Sequence, residues 1–384
     1  MLTCFKFLVP LIIQGGGQRD GGQSFMGVVL ICLDVSFAVG SLILLLTMLF
    51  LVHAPISQRF LFYFACNNVG GRYFLRQDYT IECFKNAHWE FSIVVISFSI
   101  QILSSSIVQN FIPARKSTSR KGDNGIVIVV GGSYIYHGAP VLSSLAALRC
   151  GTDLVYTSVP KINVTPTRAI SPNLIVIPLV DQKLTLGAVK KLVGALPRNL
   201  HSATIGMGLA IQEKNSLLYL VKSLLDRDVR LSLDASALIP EVLPLLANKN
   251  VVVTPHSGEF KRLFGDVPPD SQNERIPLVE QHALDNGITI LLKGPTDIIS
   301  NGKTTYLCEK NTPAMTVGGT GDVLSGLVAG LLSKNRNSLE SAAAASFICG
   351  LAGKHVQDKL GLHMTSMDLI DAIPNVMKPF DKII

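Results

Sequence analysis

The chain has 384 residues, 48% of them hydrophobic and 16% charged, with a formal net charge of +7 from 34 Lys+Arg against 27 Asp+Glu. Such a composition excludes a disordered or collagen-like chain, and no basic block is long enough to form a nucleic-acid tail. Seven cysteines, none in a C-x-x-C pair, point neither to a disulfide framework nor to a zinc site, so reduced, buried thiols in a cytoplasmic protein are expected.

The apolar excess is concentrated in residues 1–110. Val35–Val52 (VSFAVGSLILLLTMLFLV) is long enough to span a bilayer. Phe91–Ile112 is a second apolar stretch, diluted by Ser and Gln. Met1–Ile13 is too short to span and has no clear cleavage site for a signal peptide. Two readings fit residues 1–110. In one they are a membrane anchor, with Arg115, Lys116, Arg120 and Lys121 marking the cytoplasmic side. In the other they are an upstream extension absent from the working protein. No chemical motif falls among them, so a chain shortened to residue 111 is expected to keep its activity.

From Gly125 onward, short β-branched runs alternate with helical spacing. Gly125–Val130, Leu154–Val159, Leu174–Ile177, Ala203–Ile205, Leu231–Leu233, Val251–Val253 and Ile288–Leu292 are the expected strands. Pro140–Cys150, Leu184–Leu196, Gln212–Leu225 and Pro277–Asn286 are expected helices. Strands that are apolar without alternation imply a mostly parallel sheet covered on both faces. Such sheets bind ligands beyond the carboxyl ends of their strands.

Those ends are distinctive. Gly131–Pro140 (GGSYIYHGAP) is a glycine turn without the G-x-G-x-x-G of a nicotinamide site, and Ile205–Gly208 (IGMG) is another. Thr254–Phe260 (TPHSGEF) puts His256 at a strand end and Glu259 in the first helical turn. Leu291–Asp297 (LLKGPTD) closes a strand with Lys293, a cation able to neutralise phosphate, followed by Gly294. Val317–Gly330 (VGGTGDVLSGLVAG) puts three glycines and Asp322 at a helix start. There, amides can hold an anion and a carboxylate can act as base toward a hydroxyl attacking a phosphoryl group. The bland alternative for Asp322 is a helix cap.

Taken together, KGDNG at Lys121, VVGGSYIYHGAP at Val129, AALRCGTDLV at Ala146, GMGL at Gly206, LDASAL at Leu233, VVVTPHSGEFKRLFG at Val251, LLKGPTDII at Leu291 and GGTGDVLSGLVAG at Gly318 resemble the ADP/ATP-dependent NAD(P)H-hydrate dehydratases. These are ribokinase-like enzymes, and the resemblance runs from about Phe111 to Lys378. It implies two regions, an apolar extension (1–110) and a ribokinase-like dehydratase domain (111–384). It also implies phosphorylation of the C6 hydroxyl of hydrated NADH or NADPH by ADP or ATP, followed by loss of phosphate. By the same resemblance, Asp322 is the base and Gly318, Gly319, Thr320 and Gly321 form the anion hole. Ala139, Gly208 and His256 meet the hydrated dinucleotide, and Lys293, Gly294, Pro295, Thr296, Asp297 and Gly321 meet the adenine nucleotide. Mg2+ bridges the phosphates, without assigned protein ligands, and the assembly is a homo-oligomer, often a tetramer.

One departure is Ser236, where the family commonly has a second acidic residue. Residues 1–110 are too few and too apolar for the epimerase domain of bifunctional members, so no epimerase activity is expected. Two other functions fit the same residues. One is a ribokinase-like kinase of a small alcohol, such as a hydroxymethylpyrimidine or thiazole kinase. The other is a membrane-tethered nucleotide sensor without turnover.

Overall fold

The computed structural model describes residues 66–69, 72–75, 78–82, 99–310 and 312–384. Val35–Val52 lies outside them. The chain divides into two units, Met1–Val95 and Ile96–Ile384. Within the first, β1 (Cys66–Val69), β2 (Arg72–Leu75) and β3 (Asp78–Glu82) form an antiparallel meander.

The second unit is built on a ten-stranded sheet. Its strands are β4 (Ser99–Ile102), β5 (Ile126–Val130), β6 (Leu154–Pro160), β7 (Ile175–Leu179), β8 (Ser202–Ile205), β9 (Arg230–Leu233), β10 (Val251–Val253), β11 (Thr289–Leu292), β12 (Thr296–Ser300) and β13 (Thr304–Glu309). They lie in the order β4-β13-β12-β11-β10-β9-β8-β5-β6-β7. Strands β5 to β11 are mutually parallel, and β12 alone runs against the rest.

The fully buried IVIVV of β5 shows why such strands carry no polar alternation: both faces are covered. Successive side chains point to opposite faces. Val251 and Val253 of β10 enter one core with Ile290 and Leu292 of β11. Val252 and Leu291 enter the other. The first core lies under α4 (Leu186–Ala195), α5 (Lys214–Leu225), α7 (Ser257–Phe264) and α8 (Gln272–Asn286). On the opposite face lie α1 (Ser105–Phe111), α2 (Ala139–Arg149), α9 (Thr320–Lys334), α10 (Ser338–Leu360) and α11 (Ser366–Met377). Two shorter helices, α3 (Val164–Ile170) and α6 (Leu243–Leu246), complete the set.

Three features differ from the sequence reading. The unit begins at Ile96, so Ser99–Ile112 is not one long apolar segment but strand β4 and helix α1. Strand β4 pairs with β13, and Phe111 meets Tyr306 edge-on at 5.4 Å. The β12–β13 hairpin is an addition; its Asn301 Oδ1 accepts from the amides of Lys303 and Thr304 to fix the turn. Helix α8 starts at Gln272, with Pro277 inside it rather than at its first position. No helix among the described residues is long and apolar enough to cross a membrane.

Candidate active site

Five strand ends and one helix start meet along the carboxyl edge of the sheet. The loop after β5 carries Ser133–Ala139, and the loop after β8 carries Gly208–Ala210. The loop after β9 carries Asp234–Ser236, β10 leads to His256, β11 leads to Lys293, and α9 opens with Thr320–Asp322. Ser133, Tyr136, Ala139, Gly208, Ala235 and Asp322 are among the residues lining a cleft of about 380 Å³.

Asp322 is held at this cleft by the pinning of its helix. Ser143 Oγ of α2 donates to the Asp322 carbonyl at 2.6 Å. One turn on, Ser325 shares a 2.7 Å hydrogen bond with Thr204 of β8; a further turn on, the Ala329 carbonyl accepts from Ser202 Oγ at 2.7 Å. Burial pushes the Asp322 carboxyl up to about 7. The negative charge of Asp234 adds to this, Lys293 opposes it, and Glu259 contributes in the same direction as Asp234. A carboxylate so placed exchanges its proton near neutral pH, which suits a general base.

The amides at the start of α9 have no carbonyl within their own helix to bond. No side chain caps them, and Gly319 turns the chain into the helix with φ +94°, a conformation that costs a glycine little. Thr320 turns its hydroxyl back to the carbonyls of Met315 and Val317 at 3.0 and 3.2 Å, so its offering to an anion is the backbone N–H. Ser366 Oγ donates to the Gly318 carbonyl at 2.5 Å and fixes the approach to this turn from α11.

Lys293 connects the strand ends. Its Nζ donates to Asp234 Oδ1 at 2.9 Å and lies 3.4 Å from Glu259 Oε2. Burial alone lowers a lysine's pKa, but the adjacent Asp234 and Glu259 outweigh it and hold Lys293 above its ordinary value. A Cβ built on Gly321 would sit 3.7 Å from this Nζ, so the ammonium stands beside the anion-binding turn.

His256 is part of the same arrangement, in a second capacity. It caps α7, its Nδ1 accepting from the amides of Gly258 and Glu259 at 3.0 and 3.3 Å, while Glu259 Oε2 accepts from the His256 amide at 2.9 Å. An accepting Nδ1 in the neutral ring places the proton on Nε2. The imidazole is 60% exposed.

The sequence-derived set thus divides. Asp322, Gly321, Lys293 and His256 converge, and Ala139 and Gly208 line the cleft with Asp322. Gly294 and Pro295 form the turn after β11, and Thr296 opens β12. Asp297 is set apart: its carboxylate is fully buried, accepting from the Gly294 amide at 3.0 Å and from Ser346 Oγ at 2.7 Å, and paired with Lys310 at 2.6 Å. It shapes the turn from below. Sequence reasoning overlooked Asp234 and Glu259 as partners of Lys293, although both carry the positional signal it used, an acidic residue just beyond a strand. It also overlooked Tyr136. Ser236 also lines the cleft.

The described residues contain no group of three or more His, Cys, Asp or Glu able to hold a metal by themselves. Asp322 nevertheless senses the negative charge of Asp234 and Glu259. This donor set fits Mg2+ carried on nucleotide phosphates better than an all-protein cage.

Residues 127–375 match the family model described as NAD(P)H-hydrate dehydratase. The ADP-dependent (S)-NAD(P)H-hydrate dehydratase of Nitrosopumilus maritimus is 82% identical over 281 residues, covering 73% of this chain and 98% of that one. The enzyme of the same name from Cenarchaeum symbiosum is 60% identical over 283 residues, covering 74% and 99%. The crystal structure of the ADP/ATP-dependent NAD(P)H-hydrate dehydratase of Bacillus subtilis, co-crystallised with ATP/Mg2+, superposes with a TM-score of 0.65 at 26% identity, covering 73% of this chain and 99% of that one. The ribokinase-like fold is shared with a protein from Enterococcus faecalis at a TM-score of 0.63. This chain belongs to the NAD(P)H-hydrate dehydratase family.

Proposed function

We propose that this protein repairs hydrated NADH and NADPH, with ADP as the phosphoryl donor. The observation that carries the reading is the half-buried Asp322 carboxyl, poised to ionise near pH 7, beside the uncapped amides of α9 and the Lys293 ammonium. The choice of ADP rests on the two relatives at 82% and 60% identity, both named for ADP.

In this reading Asp322 takes the proton of the C6 hydroxyl as its oxygen bonds to the terminal phosphorus of ADP, and AMP leaves. The amides of Thr320, Gly321 and Asp322 meet the charge on the phosphoryl oxygens, and Lys293 neutralises the nucleotide's phosphates. The C6–O bond of the phosphate ester then breaks, inorganic phosphate departs, and loss of a C5 proton restores the C5–C6 double bond. Mg2+, when bound, offsets phosphate charge; Asp234 and Glu259 are the carboxylates beside Lys293 that would face it. Ala139, Gly208 and the exposed His256 ring are assigned to the dinucleotide, and Gly294, Pro295 and Thr296 to the nucleotide.

The test is to incubate the purified protein with NADH hydrate and either ADP or ATP, following the near-ultraviolet absorbance of the reduced cofactor. Recovery of that absorbance with release of one phosphate per cofactor is the expected result. A stable phosphate ester would instead identify a kinase, and nucleotide binding without consumption would identify a sensor.

A further inference from the structure

The loop from Ser133 to Gly138 carries three consecutive large side chains that no packing accounts for. Tyr134 is 71% exposed, Ile135 73% and Tyr136 64%. Of the three, Tyr136 alone lines the cleft that contains Asp322. Its exposure does not come from a loose loop. Ser133 Oγ accepts from the Tyr136 amide at 3.1 Å, and the Ser133 amide donates back to the Tyr136 carbonyl at 3.4 Å. The buried side chain of Asn163 donates to the Ser133 carbonyl at 2.8 Å and ties the turn to the end of β6. From the other side, Gly208 (φ +63°) abuts it so closely that a Cβ there would stand 2.6 Å from Tyr136 Cβ and 3.2 Å from Ala139 Cβ. The backbone of Tyr136 is fixed between two walls of the cleft while its ring is left in water.

An aromatic ring held out over a reaction cleft by a rigid backbone is pre-organised to bury its face against a bound ring at little entropic cost. Phosphoryl transfer to a hydroxyl also has a specific hazard, the competing attack of water on the donor, which a covering ring would suppress.

We propose that Tyr136 is a specificity-determining residue that packs its ring on the nicotinamide half of the hydrated dinucleotide and covers the reacting hydroxyl. This rests on the repair function above. It extends it by assigning the apolar wall of the substrate site to a residue set between Ala139 and Gly208.

The experiment compares the whole protein with its Tyr136→Ala, Tyr136→Phe and Tyr134→Ala variants. Burial of one aromatic face predicts a KM for NADH hydrate raised about tenfold or more in Tyr136→Ala, with the KM for ADP unchanged. The same variant is expected to release phosphate in excess of cofactor recovered. NADPH, the repaired product, is the probe for a second readout independent of turnover: its fluorescence titration should show binding weakened in Tyr136→Ala and retained in Tyr136→Phe. Tyr134→Ala, equally exposed but outside the cleft, should match the parent in every measurement. Parental KM, stoichiometry and NADPH binding in Tyr136→Ala would overturn the inference, and so would a Tyr136→Phe variant as impaired as Tyr136→Ala, since that assigns the effect to the hydroxyl. A parent protein that neither repairs the hydrate nor binds NADPH would instead sink the function itself.

Discussion

Lys293, at the end of β11, donates to Asp234, at the end of β9, across 2.9 Å, passing over the strand between them. Glu259, beyond that intervening strand β10, approaches the same ammonium at 3.4 Å. One largely buried cation therefore balances two carboxylates, one in the loop after β9 and one in the first turn of α7, and a third, Asp322, senses the result.

Lys293→Met removes that cation. The nucleotide KM is expected to rise at least tenfold through loss of phosphate neutralisation. Asp234 and Glu259 would be left buried without their partner, costing about 3–5 kcal/mol of stability in urea denaturation. The missing positive charge also allows the Asp322 carboxyl to rise further, so any remaining activity should have its acidic limb displaced to higher pH. A limb that stays in place would show that Lys293 does not act on Asp322.

With Asp322 as base, kcat/KM should climb as pH rises through about 7, because only the ionised carboxylate accepts the hydroxyl proton. Asp322→Asn should reduce turnover by at least about a hundredfold, the usual size of a general-base contribution. A flat pH profile or near-normal turnover in the variant would remove Asp322 from that role.

The same residue makes a prediction about stability. Its folded pKa lies above the unfolded value, so the folded protein binds the extra proton between about pH 4 and 7, and stability falls as pH rises through that window. Asp322→Asn escapes the penalty. It should therefore be more stable than the parent at pH 8, by on the order of 2 kcal/mol, and indistinguishable from it at pH 4. Thermal melts at the two pH values check the sign.

Asp297 offers a contrast. Asp297→Asn leaves Lys310 buried without its charge partner and should cost about 3–5 kcal/mol, the penalty for breaking a buried pair. The double variant Asp297→Asn/Lys310→Met should recover part of that loss, measured by urea denaturation. Equal losses in the single and double variants would show that the pair is not the source.

Truncation separates the two boundaries. Removing residues 1–95 leaves the ten-stranded sheet whole and is expected to preserve activity. Removing residues 1–110 strips β4 from β13, exposing a sheet edge, and takes away all of α1 but Phe111, its buried Val108 included. Light scattering and thermal melts of the two products should show the shorter chain less stable and prone to associate. Equal behaviour would place β4 outside the working domain.

The sequence alone determined the class of sheet, because a strand covered on both faces must be apolar throughout, as IVIVV and VVV are. It also pointed to most of the residues that gather at the candidate cleft, because glycine turns and charged residues directly after such runs fall at the carboxyl edge wherever the strands lie in the order. It did not reveal which ends become neighbours. Lys293 meets Asp234, 59 positions away, only because β9, β10 and β11 pair in that succession, and strand pairing is a long-range outcome that no local pattern encodes. Depth was equally hidden: in LLKGPTD, Lys293 and Asp297 look alike as polar residues at a strand end. The turn and the strand pairing that follow it lift the first toward the cleft and bury the second beneath it. Tertiary structure also decided where the domain begins, since Ser99–Ile102 is an ordinary apolar stretch until β13 supplies the backbone partners that make it a strand.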